Sequence, residues 1–141
     1  MDRLLLALAI AVVAGGVALE MRRWTDAPTQ AVGGHVPEQL DRGDFDEPGT
    51  PWLVALFTSA TCDTCDDVRA KAEVLAVDDA VAVSVAEFPN RRDLHDRYHI
   101  DAVPLVVVAD NAGVVRRSFL GPVTATDLWA AVAAARDDVR G

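Results

Sequence analysis

The stretch that most constrains this chain is "WLVALFT", Trp52 to Thr58, an uncharged apolar run that leads straight into both of its cysteines. A run of this length with no polar alternation suits a strand buried on both faces. Such a strand needs partners on its edges and a layer over each face. The rest of the chain supplies them. Residues 63–77 read as a helix, with Cys65, Val68, Ala72, Leu75 and Ala76 on one face and Arg69, Lys71 and Glu73 elsewhere. "AVAVSVAEF" (80–88) reads as a strand, "RRDLHDRYHI" as a short helix and "PLVVVA" (104–109) as a strand. "DNAG" is a turn, and "VVRRSFL" returns as an antiparallel strand. Thr124 with Asp127 signals a capped final helix, along which Leu128, Ala131, Val132, Ala135 and Val139 form a stripe. From Trp52 the order is β-α-β-α-β-β-α. The expected fold class is α/β, a mixed central sheet with helices on both faces.

Upstream, residues 4–19, "LLLALAIAVVAGGVAL", carry no charge, Glu20 interrupts and Met21 continues. A membrane span takes about 20 apolar residues, with a floor near 17. Three readings compete: a retained anchor, a cleaved signal peptide and a buried core helix. "MDR" is weakly basic, "EMRRW" is a poor sequence to follow a cleavage site, and the run has no polar face. The reading taken is a single-pass anchor through residues 4–21, with Trp24 at the interface. Arg22 and Arg23 follow the run and Arg3 precedes it, which tips the expected domain orientation to the cytoplasmic face. "TDAPTQAVGGHVP" (25–37) is small, polar and rich in Gly and Pro, as tethers are. The expected organisation is an anchor over 1–23, a flexible linker over 24–37 and one domain over 38–141. A chain of 141 residues has room for one ordinary domain.

Acidic residues outnumber basic ones 22 to 13, for a net charge of −9. Such a surface repels a phosphate backbone, so nucleic acid is not an expected partner. Two cysteines cannot build a disulfide-dense secreted framework.

The chemistry lies in "TSATCDTCDD", Thr58 to Asp67. Cys62 stands where the strand gives way to the helix. Free N–H groups and the macrodipole at a helix N-terminus stabilise a thiolate there. Cys65, one turn on, is close enough to attack a mixed disulfide formed at Cys62. Asp63, Asp66 and Asp67 oppose the thiolate, weakly because exposed charges are screened.

These residues resemble the thioredoxin fold family over roughly residues 36–141. "LDRGDF" resembles its opening segment, and "WLVALFTSATCDTCDDVRAKAEVLA" its central strand, active-site turn and long helix. "YHIDAVPLVVVADNAGVVRRSFLG" resembles its later hairpin. The resemblance implies a thiol–disulfide oxidoreductase with Cys62 attacking and Cys65 resolving. It also implies a substrate groove shaped by Thr61, by Val103 before a cis Pro104, and by Gly121. No cofactor is implied. The implied partners are protein or small-molecule thiols and disulfides, with an unidentified electron donor. The sequence also departs from the family. Thr61 replaces the common tryptophan, Asp63-Thr64 the usual Gly-Pro, and Leu56 the buried aspartate. The first helix is curtailed between Phe45 and Trp52.

Two other readings stay open. Cys62, Cys65, His95 and His99 could form a zinc set, although the gap from Cys65 to His95 exceeds that of a zinc finger. Otherwise both histidines are solvated on a charged helix. Alternatively, the domain is a membrane-tethered binding scaffold whose dithiol is incidental or metal-binding.

Overall fold

The computed structural model describes residues 2–25, 29–30, 33–138 and 140, with side chains described at 3–17, 33–138 and 140. Its elements are α1 (Asp2–Thr25), β1 (Thr29–Gln30), a 3-10 turn (Arg42–Asp44), β2 (Trp52–Ser59) and α2 (Cys65–Glu73). There follow β3 (Val81–Phe88), α3 (Arg92–Arg97), β4 (Ala102–Val103), β5 (Leu105–Ala109), β6 (Val115–Leu120) and α4 (Ala125–Asp138).

The main sheet has the order β3-β2-β5-β6. β2 runs parallel to β3, pairing Trp52 with Val81 through Ser59 with Phe88. It runs antiparallel to β5, pairing Leu53 with Ala109 through Phe57 with Leu105. β6 closes the other edge of β5 in antiparallel register. Every residue of β2 is buried. Its alternating side chains feed two cores, as the pleat dictates. Leu53, Ala55 and Phe57 join Leu94, Tyr98, Val103, Leu105 and Val107. Val54 and Leu56 join Val68, Ala72, Val106, Leu128 and Val132 on the other face. Each buried Val, Leu or Phe contributes about 1.5–3 kcal/mol by leaving water.

The elements follow the sequence pattern, with differences that have local causes. α2 starts and ends inside the expected 63–77. Its end tightens into i→i+3 bonds, Leu75 N–H to Ala72 O (2.9 Å) and Ala76 N–H to Glu73 O (3.3 Å). The chain then turns through Asp79, whose φ is +59°. The curtailed first helix is the 3-10 turn, capped by Asp41. The Tyr98 hydroxyl ties it to α3 by donating to Asp44 (2.5 Å) and accepting from the Asp41 N–H (2.9 Å). Burial, and then the Asp44 hydrogen bond, push that phenol up to about 12. Arg42 is buried and donates to Thr50 O (2.9 Å), Asp110 O (3.0 Å) and Thr50 Oγ1 (2.9 Å). It thereby binds the 47–50 loop to the β5–β6 turn. In that turn Asp110 accepts from the N–H groups of Ala112 (2.9 Å) and Val114 (3.0 Å) and pairs with Arg116 (2.6 Å). Gly113 sits there at φ +79°, and a Cβ at that position would fall on the Leu40 carbonyl oxygen.

At the final helix, Thr124 Oγ1 accepts from the Asp127 N–H (3.1 Å), as the capping signal requires. Leu128, Val132 and Ala135 are buried on α4, while Val139 lies outside the described residues. Within the segment expected to be a linker, Thr29–Gln30 pairs in parallel with Ala102–Val103.

The expected single-pass membrane anchor through residues 4–21, with its domain on the cytoplasmic face, is overturned. Among the described residues no helix is long and apolar enough to cross a membrane. The uncharged run 4–19 spans about 24 Å at ~1.5 Å per residue, short of a hydrocarbon core of about 30 Å. Along α1, Leu4, Leu5, Leu6, Leu8, Ile10, Val12, Val13 and Val17 are exposed. The side chains of Trp24, Arg22 and Arg23 lie outside the described residues.

His95 is also corrected, because it is not solvated. It is 2 % exposed, lies edge-on to Phe57 and Phe88, and shares a 2.8 Å hydrogen bond between Nε2 and Ala86 O. Burial lowers its pKa from 6.5, against the smaller raising effects of the Ala86 carbonyl, Asp96 and Asp93. The folded state therefore binds fewer protons than the unfolded state. This contribution is complete above about pH 6.5 and is lost as pH falls through 6.5 toward the depressed folded value. Thermal melts should show stability falling as pH drops below about 6.5, with the slope of a folded state that binds fewer protons. His95→Gln, which keeps a donor for Ala86, should flatten that slope, and an unchanged slope would refute the assignment. Gly113→Ala should lower stability by about 2 kcal/mol, read by denaturant titration, because alanine pays for positive φ and meets the Leu40 carbonyl.

Candidate functional site: the dithiol at the β2–α2 junction

β2 ends at Ser59, and the chain makes one tight turn before α2. Cys62 N–H donates to Ser59 O (3.1 Å), and Thr61 N–H to Ser59 Oγ (3.4 Å). The Ser59 and Thr61 hydroxyls are 3.1 Å apart. These bonds fix Cys62 just ahead of the helix, and Cys65 opens the helix itself. The two cysteines form a disulfide with Cα atoms 5.5 Å apart.

Their surroundings differ. Cys62 is half-buried, whereas Cys65 is 3 % exposed. The sequence groups Cys65 with Val68 and Ala72 on one helical face. The structure puts it in the opposite core, with Phe57 and Val103, while Val68 and Ala72 face Leu56 and Leu128. Cys65, the first residue of α2, thus joins the core that holds Leu94 of α3, while the rest of the helix face joins the other core. Cys62 packs against the same cluster.

The other residues singled out from the sequence occupy nearby elements. Val103 is fully buried at the end of β4, and the Val103–Pro104 peptide is cis. Gly121, at φ +99°, donates its N–H to Pro104 O (2.8 Å), so these two loops are bonded to each other. Thr61 is exposed beside the dithiol. The backbone pairing of β1 with β4 brings Gln30 into register with Val103. The Phe88–Pro89 peptide is also cis, and nothing in the local sequence distinguishes that proline from a plain turn residue.

The acidic flank is partly compensated. Asp67 pairs with Lys71 at 2.5 Å, and Lys71 Nζ also donates to Val123 O (3.0 Å). Leu56, standing where the resemblance implies a carboxylate, is fully buried among apolar side chains. The two-Cys, two-His zinc set is not assembled. The sulfurs are bonded to each other, His95 Nε2 is engaged by Ala86, and His99 is exposed. Among the described residues no cluster of His, Cys, Asp or Glu could hold a metal ion.

No protein-family model matches the sequence, and no curated protein matches it. Solved structures do. A variant thioredoxin from Halobacterium salinarum superposes with a TM-score of 0.57 at 19 % identity, covering 72 % of this chain and 95 % of that one. A structure described only as a malarial protein gives 0.54 at 14 % identity, covering 60 % and 97 %. The chain therefore has a thioredoxin-like fold. At the strand–helix junction of that fold the Cys62–Cys65 pair stands at disulfide distance.

The difference in exposure predicts unequal reactivity. After reduction, iodoacetamide should label Cys62 at least about tenfold faster than Cys65, read by peptide mass mapping. Equal rates would show that burial at the head of α2 does not protect Cys65.

Proposed function

We propose that this protein is a thiol–disulfide oxidoreductase that acts chiefly as a reductase or reducing electron carrier. The observation that carries the reading is the Cys62–Cys65 disulfide at a strand–helix junction, with one cysteine half-buried and the other buried. The reduced Cys62 thiolate attacks a sulfur of the substrate disulfide. A Cys62–substrate S–S bond forms, the substrate S–S bond breaks, and the departing thiolate takes a proton. Cys65 then loses its proton and attacks Cys62 Sγ. The intramolecular disulfide forms and the second substrate thiol leaves. Two electrons pass to the substrate, and a dithiol donor must return two to the protein. The sulfurs carry the electrons, so the exchange calls for no cofactor. Thr61, Val103, Pro104 and Gly121 are the residues proposed to shape the groove for an extended substrate.

The reducing direction rests on electrostatics. The helix N-terminus favours the Cys62 thiolate, while Asp63 and Asp66 bring exposed negative charge close to it. The two effects partly cancel. Strong oxidants instead owe their potential to a very stable thiolate.

The purified protein should reduce insulin with dithiothreitol as donor. Cys65→Ser should accumulate mixed disulfides on a non-reducing gel, and Cys62→Ser should not. Trapping by both variants alike would contradict the assigned roles, and inertness of the native dithiol would leave a binding scaffold as the better reading. Equilibration with glutathione should give a potential well below that of the strongest oxidases, about −120 mV. A value near that figure, with a Cys62 thiol as acidic as about pKa 3.5, would reverse the proposed direction.

A further inference from the structure

Thr64 occupies the N-cap position of α2, yet its side chain makes no capping hydrogen bond. Its backbone explains why. N-cap residues hold extended φ/ψ, which swings the side-chain oxygen back over the first free N–H groups. Thr64 is already helical, at φ −98° and ψ −7°. Its carbonyl accepts from the Val68 N–H (3.2 Å), but its hydroxyl bonds none of the helix's free N–H groups. The hydroxyl meets Cys62 instead, with Oγ1 3.9 Å from Sγ in the half-buried turn. Thr61, the other threonine of the turn, has its hydroxyl against Ser59 at 3.1 Å.

Proton inventory fixes the polarity of that contact. Cys62 is in a disulfide and has no S–H, so only the threonine hydroxyl can donate. A disulfide sulfur is a weak acceptor, which suits a long contact. A thiolate is a far stronger one. We propose that, in the reduced protein, the Thr64 hydroxyl donates a hydrogen bond to the Cys62 thiolate and so stabilises the attacking nucleophile. The inference rests on the reading of Cys62 as that nucleophile and adds a residue to it. The bond is specific to one protonation state. It forms on the thiolate, weakens on the thiol, and is spent when Cys62 enters a mixed disulfide. Thr64 thus supplies side-chain stabilisation inside a motif flanked by Asp63 and Asp66 and lacking any basic residue between the cysteines. A hydrogen bond to a charged group is strong enough to alter an acid constant by about tenfold.

The test uses the full chain with Cys65→Ala, so that Cys62 titrates alone. Thr64→Val removes the hydroxyl and keeps the shape; Thr64→Ser keeps the hydroxyl. The pH dependence of Cys62 alkylation by iodoacetamide, followed with thiolate absorbance, reads the acid constant directly. Thr64→Val should weaken Cys62 acidity by about tenfold, and Thr64→Ser should stay within about twofold of the parent. Thermal melts should move little in either variant, since Thr64 caps nothing with its side chain. A Thr64→Val profile that superimposes on the parent would overturn the proposal, as would a shift that Thr64→Ser reproduces in full. Failure of the wider functional reading would look different: the acid constant would move as described, while the native dithiol failed to exchange with protein disulfides.

Discussion

The structure depends on the two-sided burial of β2. An edge strand can leave one face or one row of N–H and C=O groups to water, but this strand can leave neither. Its backbone is paired along its length with β3 on one side and along Leu53–Phe57 with β5 on the other. Its side chains alternate into two separate cores. A register slip of one residue would exchange those cores and put Leu56 where Phe57 belongs. With the strand immobilised, the point at which it ends is also fixed. The dithiol sits at that point, so the position of the reactive sulfurs inherits the precision of the most constrained element.

The same geometry makes the two cysteines unlike. The turn at Ser59–Thr61 holds Cys62 at the surface by backbone and hydroxyl bonds. The first turn of α2 carries Cys65 into the core on the α3 side. Three residues of separation thus span from partial solvent contact to full enclosure. The proposed exchange would use this difference, because an attacking sulfur must meet a partner and a resolving sulfur must be kept from it. Around the pair, the proposed Thr64 hydrogen bond and the helix N-terminus would favour a Cys62 thiolate, while the aspartates would oppose it. Leu56 lies in the opposite core, among apolar side chains.

Buried polar groups around the scaffold show how the fold tolerates its exceptions. Arg42 is buried without a carboxylate bonded to it, yet backbone carbonyls and Thr50 take its protons and turn it into a clasp between two loops. His95 is enclosed by aromatic rings with one nitrogen bonded and Nδ1 unpaired. The neutral ring bears that loss far better than an imidazolium would. Asp110 is pushed up by burial but finishes below the ordinary carboxylate range, because Arg116 and two backbone N–H groups bond its charged form. Each group is stable because the backbone delivers partners to it.

Local pattern by itself marked the four strands of the main sheet, the order of the larger elements from Trp52 and the cysteine pair, but not the two-residue strands β1 and β4. Trp52–Thr58 suited a strand enclosed on both faces, because no face of it was polar. Thr124 and Asp127 marked the last helix through a hydrogen bond that spans three residues. The CxxC pair was legible because both cysteines lie within one turn, and they are joined as a disulfide. Tertiary structure decided whatever depended on residues far apart in the chain. His95 reads as solvent-facing in "RRDLHDRYHI", and only the approach of Phe57, Phe88 and the Ala86 carbonyl buries it. Cys65 reads as sharing a face with Val68, and only packing against distant residues such as Phe57 and Val103 on one side and Leu56 and Leu128 on the other puts the two in different cores. The segment 24–37 reads as a tether, and only β4 gives Thr29–Gln30 a strand to pair with. Periodicity reports which side of an element is apolar. It carries no information on which neighbour that side will meet, because that is settled by contacts whose partners lie tens of residues away.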